Sequence, residues 1–162
     1  FFMNYLTVDP GHALFIPAGF PHAYIQGDII ECMATSDNVV RGGLTPKFRD
    51  TQTLESIMNW ETTKPTIMSP RRTSNGDLYR PPVPDFQVLV TRATRPGTRH
   101  FPRRNMPAVL LVLDGSIMLH HHRDKKYLTA GNSVYIPPAD TSITITNDKP
   151  AQWIIAEPNS RR

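Results

Sequence analysis

Four residues near the start of the chain constrain it more than anything else: Gly11, Pro17, Gly19 and His22, at the spacing G-x5-P-x-G-x2-H. Gly11 permits a turn into a strand, and Leu14, Phe15 and Ile16 supply the buried part of that strand. Pro17 and Gly19 then bend the chain sharply, so that the next strand, His22 to Gln26, carries the imidazole. Gly27-Asp28 has turn character and predicts a two-residue hairpin loop. That register sets Tyr24 opposite Glu31 and His22 opposite Met33. Side chains alternate along a strand, so His22, Tyr24 and Glu31 share one face. An imidazole, a phenol and a carboxylate on one face of a small barrel make the start of a metal site. The competing reading is a buried histidine held by a glutamate, and the glycine and proline spacing favours the metal.

The rest of the chain reads as short strands. Sixteen prolines against nine glycines favour rigid turns over long helices. An opening strand through Val8 precedes an Asp9-Pro10-Gly11 turn, and Thr35 to Pro46 is loop-like. Between Thr51 and Glu61, Leu54, Ile57 and Met58 with polar neighbours predict a short amphipathic helix capped by Asp50 or Thr51. Residues 62–84, with five prolines, read as a connector. This divides the chain into residues 1–61, the connector 62–84, and a second domain over 85–162. In the second domain strands are expected at Phe86–Thr91, Ala108–Leu113, Ser116–His120, Ser133–Ile136, Ser142–Thr146 and Gln152–Ala156. Val88, Leu110, Val112, Ile117, Val134, Ile136 and Ile154 are the expected core. The opening Phe1-Phe2-Met3-Asn4-Tyr5-Leu6 reads as a strand already in progress, so the chain is expected to be a C-terminal fragment or a product lacking its front half.

Composition excludes several classes. The net charge of +4 is spread over separate basic pairs with no basic helix or aromatic-basic stripe, so nucleic acid is not an expected partner. A phosphorylated substrate suits the charge. No apolar run reaches membrane-spanning length and no signal-peptide layout is present, so no membrane partner is expected. The single cysteine, Cys32, rules out an intrachain disulfide and fits a reducing compartment such as the cytoplasm. In the register above it faces away from His22, as an inert buried thiol.

The G-x5-P-x-G-x2-H spacing resembles the second metal-binding motif of the cupins, double-stranded β-helix (jelly-roll) barrels. The wording Pro21-His22-Ala23-Tyr24, Glu31-Cys32-Met33-Ala34, Ser36-Asp37-Asn38 and Arg41-Gly42-Gly43-Leu44-Thr45-Pro46-Lys47-Phe48 is similar to type I mannose-6-phosphate isomerases. The resemblance is close from Phe1 to Trp60 and continues as architecture to the end. It implies an all-β tandem-cupin chain whose first barrel is incomplete, with a short helix in the connection. It also implies Zn²⁺ as cofactor, a phosphorylated hexose as substrate, and the missing N-terminal half of the same polypeptide as partner. His22 matches the family's C-terminal zinc ligand, and neutral imidazole suits zinc. The other ligands of the family, a Gln-x-His and a Glu well upstream, are absent here. Arg41 matches the catalytic arginine, and Glu31 and Tyr24 match pocket residues that move or orient protons. Lys47 matches a basic residue near the substrate, while turn capping explains Asp37 as well as any site role.

Gly131, Pro137, Ala139 and Ser142 repeat the motif spacing 120 residues later, with serine at the ligand position. The first cupin motif of this half is also worn, its ligand positions reading His100, Pro102 and Ala108. The second barrel is therefore expected to be structural, or a wall for the neighbouring site. His120-His121-His122 precede a polar turn, Arg123 to Lys126, and are expected as exposed surface histidines. Two functions compete: the zinc-dependent isomerase, incomplete and inactive as this chain alone, and a non-catalytic cupin fragment or scaffold lacking the upstream ligands. A generic one-site cupin oxygenase or sugar-binding protein is weaker, because it gives Arg41 to Phe48 no role.

Overall fold

The computed structural model describes residues 3–35, 39–61, 65–102, 105–138 and 142–159, which divide into a first unit up to Ser69 and a second from Pro70. Ser36, Asp37, Asn38 and Ala139 lie outside the described residues.

In the first unit, the motif glycine does what its spacing predicts. Gly11 takes a φ of 90°, in the left-handed region where glycine is strongly favoured, and the His12 amide donates to the Asp9 carbonyl at 3.0 Å. Strand β1 (Ala13–Phe15) follows and pairs antiparallel with β2 (Thr66–Met68), Ala13 facing Met68 and Phe15 facing Thr66. Helix α1 (Thr51–Ile57) starts at Asp50, whose carboxylate accepts from the Thr53 amide at 2.9 Å and from its hydroxyl at 2.7 Å.

Two expected pieces of sheet are absent. Among the described residues, neither Met3–Val8 of the expected opening strand nor the hairpin over His22–Gln26 and its return forms a ladder. The chain does bend, at Gln26-Gly27, one residue before the expected Gly27-Asp28 turn. A two-stranded hairpin is marginal in water unless its apolar face packs on something. Here Ile25, Ile29, Ile30 and Met33 all remain exposed.

The second unit is a closed pair of antiparallel sheets. Its strands are β3 (Arg71–Thr73), β4 (Gly76–Tyr79), β5 (Gln87–Ala93), β6 (Gly97–Phe101), β7 (Ala108–Asp114), β8 (Ser116–His121), β9 (Asp124–Thr129), β10 (Ser133–Ile136), β11 (Ile143–Asn147) and β12 (Ala151–Glu157). One sheet has the order β10-β7-β12-β5-β4-β3 and the other β6-β11-β8-β9. Period-two alternation drives each strand's inner face into the core, as in Ala151, Trp153 and Ile155 of β12 or Ala108, Leu110 and Val112 of β7. Those faces meet Ile117 and Leu119 of β8 and Ile143 and Ile145 of β11. Of the expected core, Leu110, Val112, Ile117, Ile136 and Ile154 are buried and Val134 packs against the cluster. Val88 is half-buried; in β5 it is Leu89, paired with Ile155, that joins the core.

The structure corrects three readings. Residues 66–79 are not a bare connector: they hold β2, β3 and β4, and the last two extend the larger sheet of the second unit. Prolines on either side hide these short strands. Strands β6 and β9 were not expected, because GTRHF and DKKYLT are polar wherever they leave the core. Finally, Asp124 to Lys126 belong to β9, and the turn falls at His122-Arg123. His120 and His121 are accordingly half-buried in β8, and only His122 of the three is exposed.

The internal echo holds in the backbone. The Asn132 amide donates to the Thr129 carbonyl at 2.9 Å and Gly131 has a φ of 83°, reproducing the Asp9–His12 turn before β1 in the turn before β10.

Candidate functional site

The bend that carries His22 is anchored on α1. Gly19 has a φ of 81°, and a Cβ there would lie 2.9 Å from the Ile57 carbonyl oxygen, so only glycine fits. The Asn59 amide donates to the Gly19 carbonyl at 2.8 Å, tying the bend to the end of the helix. Gly42, next to Arg41, also rests on the helix, with Leu54 Cδ2 3.7 Å from where its Cβ would be. One helix thus supports both the histidine bend and the arginine loop. Neither contact is visible in the sequence; the only hint is an amphipathic helix of one apolar stripe standing beside a chain of glycines.

His22 is exposed, and its Nδ1 lies 3.0 Å from the Phe20 carbonyl oxygen. A carbonyl can only accept, so Nδ1 carries the proton and the Nε2 lone pair is the ring's acceptor. This is the tautomer a metal-ligating histidine adopts when a carbonyl orients it. The Tyr24 ring packs against it edge-on, with centroids 5.6 Å apart. The Tyr24 hydroxyl donates to Glu31 Oε1 at 3.1 Å. Imidazole, phenol and carboxylate therefore come together even though no strand ladder joins their backbones. Partial burial, then the Glu31 hydrogen bond and charge, push the Tyr24 phenol above its ordinary 10.0. Cys32 is half-buried, which raises its thiol above 9.0.

Arg41 and Lys47 are both exposed, and among the described residues no hydrogen bond, ion pair or ring contact links either to that trio. Both ion pairs among the described residues lie in the second unit. The Lys47 backbone amide donates to Thr45 Oγ1 at 3.2 Å, which shapes the loop and leaves the ammonium outward. Among the described residues, no three His, Cys, Asp or Glu side chains gather to hold a metal. His22 fits one position of a zinc site, but this set alone does not fit a catalytic zinc, which takes three protein ligands. In the second unit, His100 lies on the outer face of its sheet, its Nδ1 3.1 Å from Thr144 Oγ1, so it does not point into the barrel.

Two antiparallel sheets closed on one core, a repeated Gly-turn before a short strand, and a Gly-Pro-Gly bend ending in histidine define a tandem cupin with an incomplete first barrel. No protein-family model matches the chain. Among curated proteins, it is 41% identical to mannose-6-phosphate isomerase 2 of Arabidopsis thaliana over 149 residues, covering 91% of this chain and 34% of that one. It is 48% identical to the probable mannose-6-phosphate isomerase of Dictyostelium discoideum (85% and 32% covered) and 39% identical to the human mannose-6-phosphate isomerase (73% and 29%). A crystal structure of the Salmonella typhimurium mannose 6-phosphate isomerase, bound to its substrate and a zinc atom, superposes with a TM-score of 0.61 at 22% identity. That match covers 80% of this chain and 32% of the Salmonella one, and it shows the shared fold. Over most of its length the chain is related to the mannose-6-phosphate isomerases, and it spans about a third of theirs.

Proposed function

We propose that this chain is the part of a zinc-dependent mannose-6-phosphate isomerase that carries one metal ligand, a proton-handling pair and the charge-stabilising arginine. The reaction is the interconversion of mannose 6-phosphate and fructose 6-phosphate by proton transfer between C1 and C2. Such a step needs a group to move the proton, a positive group beside the enediolate, and a cation for the phosphate. The hydrogen bond between Tyr24 and Glu31, beside His22, carries this reading. Glu31 would take up or deliver the proton, and Tyr24 would orient it. Arg41 would stabilise the developing oxyanion with a permanently charged planar fork, and Lys47 would hold the phosphate. Zinc, held by His22 and by ligands from outside this chain, would act as a Lewis acid.

The proposed partner is therefore the rest of the isomerase polypeptide, and the proposed setting is the cytoplasm, where the lone Cys32 stays a thiol. No helix of the described residues is long and apolar enough to cross a membrane. The non-catalytic scaffold is the second reading, favoured by the single imidazole among the described residues of the site.

A chimera separates the two. This chain would replace the matching third of the Dictyostelium relative, and the product would be assayed for zinc content and coupled isomerase activity. The isomerase reading expects both, and expects His22→Ala to remove both while the fold is kept. This chain alone is expected to bind zinc weakly and to leave mannose 6-phosphate unchanged. A folded chimera that is inactive, or a His22→Ala chimera with full zinc and turnover, overturns the proposal.

A further inference from the structure

The second barrel has a cavity of its own, unrelated to His22. It measures about 180 Å³ and lies at the seam where β9, the edge of the smaller sheet, faces β10, the edge of the larger. Register decides what faces inward there. Leu119 pairs with Lys126 and His121 with Asp124, and these positions continue the inward faces marked by Ile117 and Leu128. Leu119, Val134 and Ile136 form an apolar floor, and His121, Asp124 and Lys126 stand above it. Tyr135 lines the rim. The Nε2 of His121 is enclosed and makes no hydrogen bond among the described residues. A buried polar atom left unpaired costs free energy, which a ligand recovers once the ring turns that nitrogen toward the cavity.

We propose that this cavity binds a neutral monosaccharide or a polyol of similar size. An apolar cavity of about 150 Å³ already takes a six-membered ring, so the space suits a single ring. The chemistry of the walls selects which ring. Asp124 accepts hydrogen bonds, Lys126 donates them, and the imidazole of His121 does either according to tautomer. A sugar hydroxyl both donates and accepts, so one ring satisfies all three. The carbon face of a sugar ring covers the apolar floor. The charges of Asp124 and Lys126 cancel, so a phosphate dianion gains little from the ammonium and is repelled by the carboxylate. The histidine run that the sequence left at the surface thus has one member turned into the barrel, beside a worn motif with serine at its metal position.

The test is histidine side-chain NMR on the whole chain, with His121 assigned from a His121→Gln variant. D-mannose, D-glucose, D-fructose and myo-inositol are titrated into the millimolar range, with inorganic phosphate in parallel. Saturable shifts of the His121 ring signals with at least one sugar or inositol, and none with phosphate, are expected. Asp124→Asn and Lys126→Ala, both exposed and compatible with the fold, are each expected to weaken that binding about tenfold, the loss for removing one charge-assisted hydrogen bond. No response of His121 to any of the sugars overturns the proposal. So does a response to phosphate alone, or a sugar affinity unchanged in both variants. Isomerase activity is not read, so the outcome is independent of the function proposed for the first unit.

Discussion

Arg41 is an exposed guanidinium in a glycine-flanked loop, and its value to catalysis depends on when its charge is used. If it meets the oxyanion only as the enediolate forms, its loss lowers turnover more than substrate affinity. In the active chimera, Arg41→Ala is expected to cut kcat about a hundredfold or more. Arg41→Lys recovers little, because an ammonium lacks the planar fork. Lys47→Ala acts chiefly through KM. Steady-state kinetics on chimeras of matched zinc content check this, and near-normal turnover without Arg41 would remove its catalytic role. Tyr24 gives a second test, on the isolated chain. Its phenol is held above 10.0 by burial first and by Glu31 second, so Glu31→Gln lowers it only part of the way, as read by phenolate absorbance. The raised value favours the neutral folded form; the resulting stability is complete below pH 10.0 and is lost as pH rises through the folded pKa. The sequence showed that Tyr24 meets Glu31, because a turn near Gly27 sets those two residues opposite each other, and the structure keeps that meeting without the strand ladder that the alternation implied. The sequence did not show that Gly19 and Gly42 lean on α1, because those contacts join backbone to residues far along the chain and leave no local pattern.

Helix α1 makes a clean case for linkage at the scale of an element. Hydrogen bonds from Thr53 hold the Asp50 carboxyl below its ordinary 3.8. A depressed carboxylate stabilises the helix above that unfolded value, and the contribution fades as pH falls through the lower, folded one. The amide signal of Thr53 should therefore titrate below pH 3.8 together with helix fraying, and Asp50→Asn should abolish the titration. Turns give another contrast. Gly115 has a φ of 70°, and a Cβ there would sit 2.5 Å from the Pro150 carbonyl oxygen, whereas Gly131, at 83°, has open space. Left-handed strain costs either alanine about 1–2 kcal/mol. Gly115→Ala adds a backbone clash, so it should lower the melting temperature clearly further than Gly131→Ala. The helix, its cap and most core strands were legible because apolar spacing marks them. Strands β6 and β9 escaped notice for one physical reason: each lies at the edge of its sheet and sends mostly polar side chains outward.

The two units differ in what holds them together. In the second, Trp153, Phe101, Leu110, Ile117, Ile143, Ile145 and Ile155 are almost wholly removed from water. In the first, no described residue is buried, and Tyr5, Ile25, Leu44, Phe48 and Trp60 are each more than 70% exposed. Apolar burial is the main force that opposes chain entropy, so the first unit has little to make its folding cooperative. Large contiguous apolar surface left to solvent marks contacts with other chains or segments. Hydrogen exchange on this chain should show slow amides in β5, β7, β8, β11 and β12, and exchange near the unprotected rate in β1, α1 and β2. The polypeptide of residues 70–162 alone should keep a β spectrum and a single cooperative melt, while residues 1–69 alone should show none. A dye that fluoresces on apolar surface should bind this chain strongly and the Dictyostelium chimera weakly, since the chimera supplies the polypeptide proposed to cover the first unit. Equal dye binding by a folded, active chimera would mean that the exposed apolar residues of the first unit face something other than the rest of the isomerase.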